Sequence, residues 1–141
     1  MAKRSARRVP PLSATSACPC GLGAAYGDCC GGLHQGRKEA ATAEQLMRSR
    51  YSAFVVRDEA YLLRSWSTPN RPPSLRFDDR IEWTGLEILG STDGGPFHTA
   101  GTVEFRAHFT ENGQAGDQYE NSHFVREDGR WVYDAALSEA S

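Results

Sequence analysis

At 141 residues, with 39% hydrophobic and 24% charged side chains, the chain has the size and apolar content of one ordinary domain with its own core. No run of about 18 apolar residues occurs, which excludes a membrane-spanning helix. Lys3, Arg4, Arg7 and Arg8 stand in an opening segment without acids, leaving 12 of the 16 basic side chains against all 18 acidic ones; the acidic body lacks the basic face that nucleic-acid binding requires.

In chain order, residues 1–16 read as a disordered basic tail. No apolar segment follows the charges, so a secretory or twin-arginine signal is not expected here, and the expected location is the cytoplasm. Residues 17–34 then hold every cysteine of the chain, Cys18, Cys20, Cys29 and Cys30, within "ACPCGLGAAYGDCCGG". Adjacent Cα atoms about 3.8 Å apart are too close for an unstrained Cys29–Cys30 disulfide, which needs roughly 4.4 to 6.8 Å. Crossed bridges from Cys18 and Cys20 to that pair are sterically open, but a reducing compartment opposes them. Four thiolates gathered by one tight loop instead suit a tetrahedral zinc ion at about 2.3 Å per sulfur, with Pro19 stiffening the first pair and Gly21 and Gly23 permitting the bend. His34 is a further candidate ligand, yet four thiolates already complete the set, and it reads as a solvated loop residue.

The C-x-C, eight residues, C-C spacing departs from generic zinc patterns, but "CPCGLGAAYGDCCGG" resembles the SEC-C motif, a small zinc-binding segment known from the C-terminus of the bacterial preprotein translocase ATPase. The resemblance implies one structural zinc held by the four cysteines. The inter-pair loop of that motif is usually lysine-rich, whereas here Leu22, Ala24, Ala25, Tyr26 and Asp28 carry no base.

Beyond a glycine-rich joint, "TAEQLMRSRYSAFVVRD" predicts a helix with Thr42 as N-cap and an apolar stripe through Leu46, Met47, Tyr51, Phe54 and Val55. A second helix starts at Asp58 and ends before the prolines at 69, 72 and 73. From Ile81 the period changes to two, and turn signals at Asp93-Gly94-Gly95-Pro96, Asn112-Gly113 and Asp128-Gly129 predict four antiparallel strands near 81–90, 97–110, 117–126 and 130–135. Phe97, Val103, Phe105, Ala107 and Phe109 then form one core face, while Glu104, Arg106 and His108 face outward and pair across strands. The class is α+β: a knuckle, then helices packed on one face of a curved sheet, spanning 40–137.

Two periodicities point to an interior site. Pairing Glu111 with Gln114 at the Asn112-Gly113 turn sets Phe105 opposite Glu120 and Val103 opposite Ser122, bringing both polar residues to the core face. Arg50 lies within the helical stripe, so it is expected to pair with Glu120 in a pocket also lined by Tyr51, Trp66 and Ser122. "LMRSRYSAF", "YLLRSW", "VEFRAHFTENGQAG" and "ENSHFVREDGRWVY" are similar in order and spacing to the YchJ family of bacterial proteins. That resemblance implies SEC-C motifs joined to a cone-shaped nuclear-transport-factor-two-like, cystatin-resembling domain, and brings no activity with it. No catalytic triad, P-loop or His-Glu-x-x-His run occurs, and no catalytic residues are assigned. The expected function is therefore a zinc-binding module that docks on a protein partner; the alternative is a small-molecule-binding or enzymatic cone using Arg50 and Glu120.

Overall fold

The Thr42 hydroxyl accepts the Gln45 amide at 3.1 Å, and Gln45 Oε1 returns the favour to the Ala41 amide at 2.7 Å, so the first turn of the main helix is closed from both sides. This helix, α2, runs Ala43–Val56 and stops at Arg57, whose φ of 60° breaks the helical path. The Asp58 side chain accepts the Tyr61 amide at 3.0 Å and starts α3, Glu59–Arg64. A single turn, α1, Cys30–His34, precedes both. The computed structural model describes residues 12–140.

Four antiparallel strands follow in simple meander order: β1 Ile81–Asp93, β2 Ala100–Glu111, β3 Gln114–Glu127 and β4 Arg130–Ala140. Asn112 and Gly113, and again Asp128 and Gly129, adopt positive φ at the two tight turns, the geometry whose twist matches that of the flanking strands. The β2–β3 ladder runs without interruption and pairs Glu111 with Gln114, Phe105 with Glu120, Val103 with Ser122 and Gly101 with Phe124, as the sequence predicts. Bulges fall instead in the outer ladders, between Trp83 and Gly85 and between Ile88 and Gly90 in β1, and near Ser122 and Phe124 against β4. They bend the sheet around α2.

Leu46, Met47 and Tyr51 of α2 pack on Val103, Phe105, Phe124 and Trp131 of the sheet. A second cluster joins Leu33 of the N-terminal knuckle to Ala53, Tyr61 and Leu62, so the knuckle shares a core with α2 and α3. The outer face pairs charges across strands: Arg106 with Asp117 at 3.2 Å, His108 with Glu87 at 3.2 Å, and Tyr119 donating to Glu104.

Two expectations change. Phe97 is not a core residue: β2 begins at Ala100, and Phe97 stands 98% exposed in the preceding loop, where Arg126 fixes the Pro96 and His98 carbonyls at 2.8 and 2.7 Å. That loop needs Gly101, because a side chain there would meet the Gly94 backbone at 2.5 Å. The expected tail also does not extend through residue 16. Residues 1–11 lie outside the described residues, but Ala14 and Ser16 accept the amides of Gly27 and Tyr26 at 2.9 and 2.7 Å and so belong to the knuckle.

Phe124→Ala should cost about 3–5 kcal/mol in denaturant unfolding, because the ring is fully enclosed. Phe97→Ala should stay within about 0.5 kcal/mol of the parent, the value for an exposed side chain without packing.

Candidate functional site

The knuckle is built by local backbone bonds. The Cys18 amide donates to Ala24 O at 3.0 Å across an antiparallel bridge of Ala17 with Ala25, and the Gly21 amide folds back on Cys18 O at 3.2 Å. Gly21 and Gly23 take φ of 86° and 89°, as the bend demands. A short 3-10 turn, Tyr26–Asp28, leads through Cys29 into α1, and Gly31 lets that helix lie on Tyr26, since a side chain there would meet the Tyr26 carbonyl at 2.7 Å.

These turns converge all four cysteines. Their sulfurs lie within 4.8 Å of one another, with Cys20 and Cys29 at 3.6 Å. A tetrahedral ion with ligands at about 2.3 Å sets neighbouring sulfurs about 3.8 Å apart, so the cluster fits such an ion with small adjustments. All four are free thiols. Charge supports the same conclusion. Hydrogen bonds from Cys20 and Cys30 draw the Cys18 thiol well below the usual range; burial pushes Cys29 up to about 11, and the bond to Cys18 raises Cys30. Thiols this close compete for negative charge, which a bound cation neutralises. The cluster is capable of binding a metal.

The knuckle is not independent of the cone. Arg48 of α2 donates to Cys20 O at 2.7 Å, and the Ser52 hydroxyl lies 3.7 Å from Cys18 Sγ. His34, expected in solvent, is buried: Nε2 bonds Ser49 O at 2.8 Å and Nδ1 bonds the Tyr26 hydroxyl at 2.6 Å. Donation from Nε2 to the carbonyl leaves Nδ1 to accept from Tyr26, which is the neutral tautomer, and burial lowers the pKa of the ring accordingly. Both nitrogens are committed, so His34 links knuckle to helix rather than serving as a ligand. Arg64 of α3 completes the join by donating to His34 O at 2.6 Å.

A cavity of about 290 Å³ lies between α2 and the concave sheet face, and its walls include Arg50, Tyr51, Trp66, Glu120 and Ser122. The expected direct pair of Arg50 with Glu120 does not form. Arg50 Nη1 donates to Leu62 O at 2.8 Å and Ser65 Oγ at 2.6 Å, while its guanidinium carbon sits 5.1 Å from the Trp66 ring centre and 4.8 Å from that of Tyr133. Glu120 Oε2 accepts from Ser122 at 2.6 Å and from Tyr133 at 2.8 Å. Tyr133 therefore touches both charged groups. Desolvation lowers the Arg50 pKa to about 10, which still leaves it protonated at neutral pH. Burial also raises Tyr51 to about 12, so its hydroxyl stays neutral. Trp66 Nε1 is a buried donor with no partner among the described residues.

Tyr133 and Gln118 are polar residues of the cavity wall that sequence reasoning missed, as it missed Ser65 behind the wall as a partner of Arg50. Tyr133 shares its parity with Trp131 on β4, a usable signal, but the bulges of the β3–β4 ladder obscure which cross-strand neighbour it meets.

His34→Phe keeps an aromatic ring and removes both hydrogen bonds. It should destabilise the chain by about 1–3 kcal/mol in thermal or denaturant unfolding, because the Tyr26 hydroxyl is left without its partner. A solvated loop histidine would give a change within about 0.5 kcal/mol.

Comparison with known proteins places this architecture. Residues 42–136 match the model of the YchJ middle NTF2-like domain. A UPF0225 protein of Streptomyces avermitilis is 52% identical over 130 residues, spanning 92% of this chain and 90% of its own, and one of Ralstonia nicotianae is 45% identical over 139 residues, spanning 90% and 94%. The solution structure of a SEC-C motif containing protein from Rhodopseudomonas palustris aligns with a TM-score of 0.74 at 34% identity, covering 86% of this chain and 97% of that one. A crystal structure of a SEC-C motif containing protein from Psychrobacter arcticus aligns at 0.72 with 26% identity, covering 91% and 85%. With a cysteine knuckle joined to an NTF2-like cone in the same order and at this level of identity, the chain belongs to the YchJ-like family of UPF0225 proteins.

Proposed function

We propose that Cys18, Cys20, Cys29 and Cys30 hold one structural zinc ion and that the chain is a small cytoplasmic protein-interaction module. The carrying observation is the closure of the thiol set: Cys18, Cys20 and Cys30 are buried, and their sulfurs with that of Cys29 supply four ligands at one point. Zinc bound by four thiolates has no open coordination position, so it supplies a cross-link rather than a reactive centre. Free thiols in such a cluster suit a reducing compartment. The inner side of the knuckle is spent on α2 through Arg48 and Ser52. Its outer loop is not: Leu22, between Gly21 and Gly23, is 57% exposed. An apolar tip on a metal-braced loop is a suitable contact for a protein partner, and the absence of bases there disfavours nucleic acid.

Elemental analysis of the purified chain should return one zinc per molecule. Because knuckle and helices share Leu33 and His34, chelation should lower the melting temperature of the entire chain and broaden amide signals of α2 as well as those of the knuckle. Metal-free protein with an unchanged α2 spectrum would contradict the coupling. For the partner, Leu22→Ser leaves every thiol in place; capture of a specific protein by the parent should fall several-fold with this variant at unchanged zinc content. Capture insensitive both to Leu22→Ser and to loss of zinc would remove the knuckle as the docking surface.

A further inference from the structure

The cone cavity holds charge that the fold does not fully use. Arg50 is only 5% exposed, yet both of its hydrogen bonds come from Nη1; nothing among the described residues accepts from Nη2 or Nε. Its guanidinium also lies over the Trp66 and Tyr133 rings, and as a residue lining the cavity it keeps donors for a ligand's acceptor. Across the same cavity Glu120 receives both of its hydrogen bonds on Oε2, leaving Oε1 without a partner among the described residues. The two groups are held apart because Arg50 is anchored on the Leu62 carbonyl behind it, while Tyr133 ties the carboxylate on the other side.

We propose that this cavity binds a free α-amino acid with a large apolar side chain, its carboxylate on Arg50 and its ammonium on Glu120. Three observations select that chemistry. One cation and one anion face a common space, so a zwitterion of zero net charge satisfies both, whereas a simple acid meets Glu120 and a simple amine meets Arg50 as repulsion. Apart from Gln118, the remaining wall is largely apolar and aromatic and includes Phe54, Trp83, Phe105 and Ala107. A volume of about 290 Å³ sits at the small end of ligand cavities, about 300–1,000 Å³, which admits a single amino acid and no peptide.

The test uses the full chain as purified, with L-phenylalanine, L-leucine and L-tryptophan as probes in calorimetry and in amide and indole NMR titrations. At least one should bind saturably and shift the Trp66 indole signal. 3-Phenylpropionate and phenethylamine, each lacking one charge of phenylalanine, should bind about tenfold or more weakly. Glu120→Gln keeps an oxygen to accept from Ser122 and Tyr133, so it should fold; it should weaken the amino acid by about tenfold or more while narrowing the preference over 3-phenylpropionate. Ala107→Leu, which fills the apolar end, should abolish binding without touching either charge. The proposal is overturned if none of the three amino acids binds, if 3-phenylpropionate binds the parent as tightly as phenylalanine, or if Glu120→Gln leaves that preference intact.

Discussion

Helix α2 is enclosed on nearly every side, and most of the molecule follows from how its faces are allotted. Ser49, Ser52 and Ala53, all fully buried, are small enough to let the knuckle and α3 approach the helix backbone closely. Leu46, Met47, Arg50 and Tyr51 turn the other way, into the cone. A helix so surrounded cannot carry a single apolar stripe. Its surplus polar atoms are satisfied inside: Ser49 Oγ reaches Leu46 O at 2.7 Å and the Tyr61 hydroxyl at 2.6 Å, and Arg50 reaches Leu62 O and Ser65. Each of these bonds crosses from one element to another or reinforces the helix end of such a crossing. A polar core of this kind is stabilising only when its members are all present.

The cysteine cluster and the cone are therefore joined by shared packing. The four thiols are set by local turns within the knuckle, but the groups around them, Arg48, Ser49 and Ser52, belong to α2. Tyr61 extends the connection, since its hydroxyl meets Ser49 and its ring lies 4.7 Å from that of His34. Arg50, one residue along from Ser49, faces the cavity. Knuckle and cavity wall are thus separated by a single turn of helix.

Local chemistry made some of this legible in the sequence. The Asn112-Gly113 turn admits essentially one register, and because β2–β3 has no bulge the inward placement of Glu120 and Ser122 follows from it. Thr42 and Asp58 announce their helices because capping depends on neighbours three residues away. The cysteine cluster was legible for the same reason: all its ligands lie in one short stretch. What stayed hidden depends on distant contacts. His34 is buried by Tyr26 and by Ser49, fifteen residues on. The Arg50–Glu120 pair does not form because the Leu62 carbonyl and Ser65 take Arg50, while Tyr133, delivered by a bulged strand, takes Glu120. Phe97 keeps the parity of β2 but precedes it, since the Gly94-Gly95-Pro96 turn consumes residues that alternation alone would assign to the strand.

The meander order of the sheet bears on how the chain comes together. Every strand pairs with its neighbour in sequence, so the sheet can assemble hairpin by hairpin with small loops to close, and contacts of that kind favour rapid folding. The links from the knuckle to α2 and α3 span a longer stretch, up to 34 residues for Cys18 with Ser52. During synthesis the cysteines emerge first, then the helix that buries them, and the sheet that closes the cone comes last. Because Ser52 and Arg48 of α2 pack against the knuckle, enclosure of the thiols waits on a helix that follows them in the chain.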